Sequence, residues 1–255
     1  MRKNLRVLFV ILILITLFEG NLYGEDKSSN ETRDNLNALI RTALGVTDNY
    51  LWRGVLLING PVLNINHSIN PVEGLVFDLS HNFDLTSLDT KLHRYNLYYY
   101  LAINKTLSIQ GGFTLYDITS SVMSYPDTLE GYLKLEHFGT IYYSGALYYD
   151  FYKGSGAFVE LSSKYSLYMI DNISIGPGAN LYINLSDKLF DSYNGSFNTQ
   201  AFQAFGFSKM TLSKKIFLDI LGGISLPLYS SSSNTAIYTT KYSPFASMAF
   251  SFLIK

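Results

Sequence analysis

"RYNLYYYLAIN", residues 94–104, carries the pattern that decides the fold. Tyr95, Leu97, Tyr99, Leu101 and Ile103 fall on one side of an extended chain, and Arg94, Asn96, Tyr98, Tyr100 and Ala102 on the other. Successive side chains of a strand point to opposite faces, so this run predicts a strand with one apolar and one polar face. The same sense recurs. In "TLEGYLKLEHF" (128–138), Leu129, Leu133 and Leu135 oppose Glu130, Tyr132, Lys134 and Glu136. "KIFLDILGGISL" (215–226) sets Ile216, Leu218, Ile220, Ile224 and Leu226 against Asp219, Gly223 and Ser225. "NISIGPGANLYIN" (172–184) places Ile173, Ile175, Leu181 and Ile183 opposite Ser174, Gly176, Gly178 and Asn180, with Pro177 marking a bulge where the ladder lacks a donor.

Twelve such segments follow one another, at about 42–55, 62–69, 72–83, 91–103, 106–116, 128–137, 140–151, 157–165, 172–184, 198–208, 215–226 and 244–254. Most have the roughly 9–11 residues that cross a bilayer at a tilt, and their number is even, as in bacterial single-chain barrels. A water-soluble sandwich would share the period, but the connections separate the two. The gaps at Asn70–Pro71, Asn104–Lys105, Phe138–Gly139, 166–171 and 209–214 are short, whereas 117–127, 185–197 and 227–243 are long. Short turns at one end and long loops at the other are the outer-membrane asymmetry. The fold expected is all-β: an antiparallel up-and-down transmembrane barrel of twelve strands over residues 41–255. In "TQAFQAFGFS" (199–208) phenylalanines occupy both faces, and its inward side stays unassigned.

Composition agrees. Charged residues are only 15% of the chain, against about 25% in a soluble domain, while Tyr numbers 21 and Phe 17. Residues 1–24 read as a signal peptide: Arg2, Lys3 and Arg6, then the apolar "VLFVILILITLF", then a polar exit. The polar stretch 25–40 is expected to be a short periplasmic segment. Removing Arg2, Lys3, Arg6 and Glu19 from 19 cations and 20 anions leaves 16 against 19, a net charge of about −3. That is no nucleic-acid footprint, which needs a basic face. With no cysteine, disulfides and lipid attachment at a cysteine are excluded.

"TDNYLWRGVLL" (47–57) contains the single tryptophan. Leu44 and Val46 face outward; carrying that parity forward puts Tyr50 and Trp52 outward as well and Arg53 inward. Tyr50 and Trp52 are then expected in the aromatic girdle, where an apolar ring with a polar tip suits the interface. Asp48 breaks the parity, and a bulge at Asp48–Asn49 accommodates it. Arg53 forms either a structural ion pair or a contact that selects solutes. This stretch, continued by "NGPVLNINHSI", resembles the N-terminal signature of the TorF family of porins: Thr47, Asp48, Tyr50, Trp52, Arg53, Gly54 and Pro61 match it, over roughly residues 46–69. Asn49 is an insertion, and Leu56–Leu57 replace polar residues. The resemblance implies an outer-membrane barrel with pore function and no catalytic residues.

An outer-membrane lipid hydrolase would need a His paired with a Ser on the lipid-facing wall. His67 and Ser68 are adjacent and so face opposite sides, and His81, His93 and His137 have no serine two positions away. No metal-ligand spacing or cofactor motif is present, and the four histidines are scattered along the chain. The inward charges are the candidate pore lining: Arg41, Arg53, Asp78, Arg94, Glu130, Lys134, Glu136, Asp150, Glu160, Lys164 and Asp219. Either these line a narrow, weakly cation-preferring channel for small hydrophilic solutes, or they pair and plug a structural or surface-interaction barrel. The expected partners are outer-membrane lipid, small solutes and, through the aromatic strand "ASMAFSFLIK", the barrel-assembly machinery.

Overall fold

The computed structural model describes residues 40–87, 91–119, 127–152, 154–170, 172–186, 198–228 and 242–254. The expected segments 1–24 and most of 25–40, and the greater part of the 227–243 loop, lie outside them. The strands are β1 (Ile40–Trp52), β2 (Val55–Val72), β3 (Leu75–Asp84), β4 (Lys91–Ala102), β5 (Leu107–Thr119), β6 (Thr128–His137) and β7 (Ile141–Asp150). They continue with β8 (Ala157–Tyr165), β9 (Tyr168–Ile170), β10 (Ile173–Asn184), β11 (Asn198–Ser213), β12 (Ile216–Pro227) and β13 (Ser243–Ile254). All pairings are antiparallel, and β1 pairs with β13 to close the ring. β8 and β9 both pair with β10 and occupy one position in the wall, so the barrel has the twelve staves that the alternation predicted.

Closure satisfies every ladder without leaving an edge, which is what a wall in hydrocarbon requires. Leu44, Val46, Leu101, Leu133, Leu135, Leu147, Leu161 and Met248 are exposed on its outer face. In water each would cost about 1.5–3 kcal/mol relative to burial; in lipid they are at home. Tyr149, Phe151 and Tyr152 are exposed where the wall meets the long loops, and Tyr143, Tyr165 and Phe252 near the short turns. Trp52, expected among such outward aromatics, is instead buried.

The wall is interrupted where proline predicts it. Between β8 and β9 the chain leaves the ladder opposite Gly176–Pro177, and the Leu167 N–H bonds the Ile175 carbonyl (2.9 Å). The Tyr165 carbonyl presses so closely on Gly176 that a Cβ there would lie 1.7 Å from its oxygen.

The first hairpin departs from the expected boundaries. Its turn is Arg53–Gly54, and "NGP" lies inside β2, whose 18 residues exceed the roughly 9–11 that cross a bilayer. Register shifts fall between Thr47 and Asn49 and between Tyr50 and Leu51, with the extra residues on β2. Pro61 sits at the first shift, where it has no N–H to offer the ladder. Bulges bend and twist a strand pair, and these turn the overlong hairpin away from the wall.

Refolded chain is expected to run as a compact β-rich band that shifts on boiling. Gly176→Val, which forces a side chain into the Tyr165 carbonyl, should lower the temperature at which that band is lost. A variant with native heat-modifiability would show that the β8–β9 interruption does not depend on a bare backbone at position 176.

Candidate functional site: the lumen and its inturned hairpin

Inside the ring, the tip of the β1–β2 hairpin crosses the lumen at the loop end. Arg53 and Gly54 both have positive φ, 51° and 78°, the backbone of a two-residue hairpin turn whose twist matches its strands. For Arg53 this left-handed conformation costs about 1–2 kcal/mol, so something must hold it. Its guanidinium bonds Glu130 of β6 at 2.5 Å, with both side chains almost wholly buried. Rings surround the cation: Phe158 of β8 at 4.3 Å, Tyr148 of β7 at 4.9 Å and its neighbour Trp52 at 5.4 Å. Desolvated cation–π contacts of this kind contribute about 2 kcal/mol or more. β7 and β8 stand across the ring from β1 and β2, so the tip spans the lumen.

The remaining contacts seat the tip on the other staves. The Ser225 hydroxyl of β12 donates to the Gly54 carbonyl (2.8 Å). A Cβ on Gly54 would lie 2.4 Å from the Ala201 Cβ of β11, so only glycine fits that approach. Trp52 packs on Tyr116 of β5, ring centroids 5.1 Å apart, within a buried cluster that includes Leu57, Ile58, Val62, Leu92, Phe158 and Tyr182.

Tyr50 and Trp52 therefore point into the lumen, not to lipid: Trp52 is 6% exposed, and Tyr50 packs against the same cluster. The reason is that β1 leaves the wall after Thr47. Leu44 and Val46 face out and Gly45 and Thr47 face in, but beyond Thr47 the hairpin lies inside the ring, so both of its faces meet the lumen. Pairing of β1 with β13 ends at Thr47, and side chains take over its bonds. The Asp48 carboxylate accepts the Ala246 N–H (2.6 Å), Thr47 donates to the Ala246 carbonyl (2.9 Å) and Asn49 to that of Pro244 (2.9 Å). Asp48 thus stays on the outer side as a cap, and its bonds free the chain to turn inward.

Below the tip the lumen is polar. Asn96 donates to Tyr132 (3.2 Å) and accepts from Thr114 (3.0 Å); Gln203 accepts from Asn180 and Tyr182, each at 3.0 Å. A cavity of about 390 Å³ lies beside β1 and β2, among Asn64, Asn66, Asn82, Arg94, Tyr50 and Gln203. Toward the turn end, Lys134 bonds Glu136 (2.7 Å), which also accepts from Tyr142 (2.7 Å) and Gln110. Lys164, over the Tyr142 ring at 5.8 Å, is exposed, so solvent-sized space reaches this part of the lumen.

The other expected charges divide by partner. Arg41 bonds Ser251 (3.2 Å), Asp78 accepts from Ser68, and Ser162 reaches Glu160 (3.4 Å). Asp150 belongs to the rim: it accepts from Thr128 (2.5 Å) and from the backbone of Tyr152 (2.7 Å) and Gly154 (3.0 Å), tying down the turn after β7. Asp219 lies opposite Lys209 in the β11–β12 register. Lys209 is an inward cation that the sequence did not reveal, because phenylalanines on both faces of β11 hide its parity; buried Gln203 and Phe205 set it. Glu136, a candidate lining charge, is 5% exposed beneath its partners.

The histidines are less scattered than the sequence suggests. His81 and His93 are direct partners across β3 and β4, their Nδ1 atoms 2.7 Å apart beside Phe83 on the outer face. No group of three or more metal-ligating side chains occurs among the described residues.

Neither a protein-family model nor a curated protein matches the sequence. The structure is similar to solved porins. The KdgM porin superposes with a TM-score of 0.55 at 11% identity, over 85% of this chain and 99% of that one. The same porin in complex with disordered oligogalacturonate gives 0.54 at 11% identity with equal coverage. The NanC porin gives 0.51 at 10% identity, over 85% and 99%. These likenesses establish a porin-type barrel fold.

Glu130→Ala removes the described ion pair of a cation held in a ring cage, a loss of about 3–5 kcal/mol that is relieved if the tip swings out. As Trp52 is the single tryptophan, its fluorescence should shift to the red and become quenchable by iodide. Arg53→Met with Glu130→Met should restore the native emission. An unchanged spectrum in Glu130→Ala would mean that the apolar cluster alone seats the tip.

Proposed function

We propose that the chain is a small passive channel of a bacterial outer membrane, without enzymatic activity, that passes small hydrophilic solutes through a lumen narrowed at its loop end by the β1–β2 tip. The observation that carries this reading is the polar interior: a cavity of about 390 Å³ beneath the tip, and an exposed, inward Lys164 farther toward the turn end. A barrel serving only as a wall could fill this space with apolar side chains. The porin-type fold and the resemblance of residues 46–69 to the TorF porins support the same reading. So do the signal-peptide pattern and the alternating β13, whose Met248, Phe250 and Phe252 face lipid and suit delivery by barrel-assembly machinery.

The inward charges named above, other than the rim residue Asp150, line the proposed path. Arg53 and Glu130 act at its constriction. The cation preference suggested by Glu130 and Glu136 is small, because Arg53 and Lys134 neutralise them and Lys209 adds a cation opposite Asp219. Confined charges are screened within about 8 Å at physiological salt, so selectivity fades as salt rises. The seated tip also favours a second reading, a structural barrel whose mouth is plugged.

Planar-bilayer recording separates them. The native protein should conduct weakly with a shallow cation preference, and Glu130→Ala should raise the conductance by releasing the tip. Glu160→Lys, an inward position whose one described bond is from Ser162, should move the reversal potential under a salt gradient toward anions. A folded barrel that stays silent both as the native protein and as Glu130→Ala would favour the plugged structure.

A further inference from the structure

Arg94 differs from Arg53, the buried cation of the hairpin tip, in having no ion pair among the described residues. It lies on β4 directly across from Tyr116, on whose ring Trp52 packs, and lines the cavity under the hairpin tip. Its Nε is buried without a hydrogen-bond partner, and among the described residues no ion pair reaches its guanidinium. Asp78, inward on the neighbouring β3, takes its bond from Ser68 instead. Arg94 is partly buried and feels the Asp78 carboxylate only at longer range, without an ion-pair contact, whereas Arg53 nearby has its carboxylate at 2.5 Å. The cavity is lined by this one cation and by no carboxylate.

The rest of the lining is built for hydroxyl groups. Gln203 uses its carbonyl oxygen for Asn180 and Tyr182, which leaves its amide nitrogen to donate. Asn82 uses its nitrogen toward Ser80 (3.5 Å) and the Leu92 carbonyl (3.4 Å), which leaves its oxygen to accept. Asn64 likewise donates to the Val62 carbonyl (3.2 Å). The lining therefore offers a free donor on Gln203 and a free acceptor on Asn82 together with the Arg94 charge. A volume of about 390 Å³ is at the small end of ligand pockets, about 300–1,000 Å³.

We infer that this chamber binds a small hydroxylated monocarboxylate, its carboxylate on Arg94 and its hydroxyls on Asn82 and Gln203. A guanidinium presents two parallel N–H groups that match a carboxylate. A dianionic phosphate would call for a second cation, and the lining offers none. The inference rests on reading the lumen as a solute path, since the ligand must enter from the turn end while the tip closes the mouth.

Calorimetry reads the site without requiring conductance. Sodium gluconate titrated into the refolded, heat-modifiable protein should bind saturably, and more weakly as sodium chloride is raised, whereas glucose should not bind. Arg94→Gln should weaken gluconate by at least about tenfold, the loss expected when one partner of a buried charge pair is removed. Gln203→Leu, which keeps the cation, should weaken it less and serves if Arg94→Gln fails to fold. Absence of gluconate binding, equal binding by Arg94→Gln, or sodium phosphate binding as tightly as gluconate would each overturn the assignment. Binding by a barrel that never conducts would overturn the channel and leave the site standing.

Discussion

A guanidinium paired with the Glu130 carboxylate inside the barrel mouth organises the loop end. Arg53 comes from the turn between the first two strands, and Glu130 from a strand on the far side of the ring. Neither charge is tolerable there without the other. The pair fixes a hairpin that would otherwise stand out into solvent, since β2 is longer than a bilayer requires. Once the tip is in place, Trp52, Leu57 and Ile58 have an apolar interior to join, and the barrel acquires a small core of the kind soluble proteins have. The lumen is consequently divided: dry and aromatic at the loop end, amide- and charge-lined below.

Most of the wall was legible in the sequence. Period two, apolar on one face, survives in a barrel because lipid demands one face and water the other, so strands such as β4, β6 and β13 could be placed almost to the residue. Short turns were legible for the same reason that long loops were, by the length of chain between patterns. The facing of Tyr50 and Trp52 was not. Alternation tells inside from outside only while a strand stays in the wall, and β1 leaves it after Thr47, so both faces of the hairpin beyond meet the lumen. β11 hid Lys209 because phenylalanine suits both a lipid face and a filled lumen.

What no single strand can reveal is which residue stands beside which across the ladder, or across the lumen. His81 and His93 meet because β3 and β4 register that way, and Arg53 meets Glu130 because the hairpin folds over. Both are properties of closure. Arg94 is the converse case: parity placed it inward, but only the assembled lumen shows that its Nε is buried without a hydrogen-bond partner.

The inturned tip also constrains the order in which the molecule can assemble. Its partners are distant in the chain: Glu130 lies 77 residues beyond Arg53, and Ser225 lies 171 beyond Gly54. The hairpin itself is local and can form first, but its seat is built from β5, β6, β7, β8, β10, β11 and β12, which arrive later. Contacts this remote are slow, because loop closure must precede any gain. The last stave, β13, must then find β1, where Arg41, Thr47, Asp48 and Asn49 each bond it through side chains. The hairpin can thus take its final position only once strands far along the chain, β12 among them, have joined the wall.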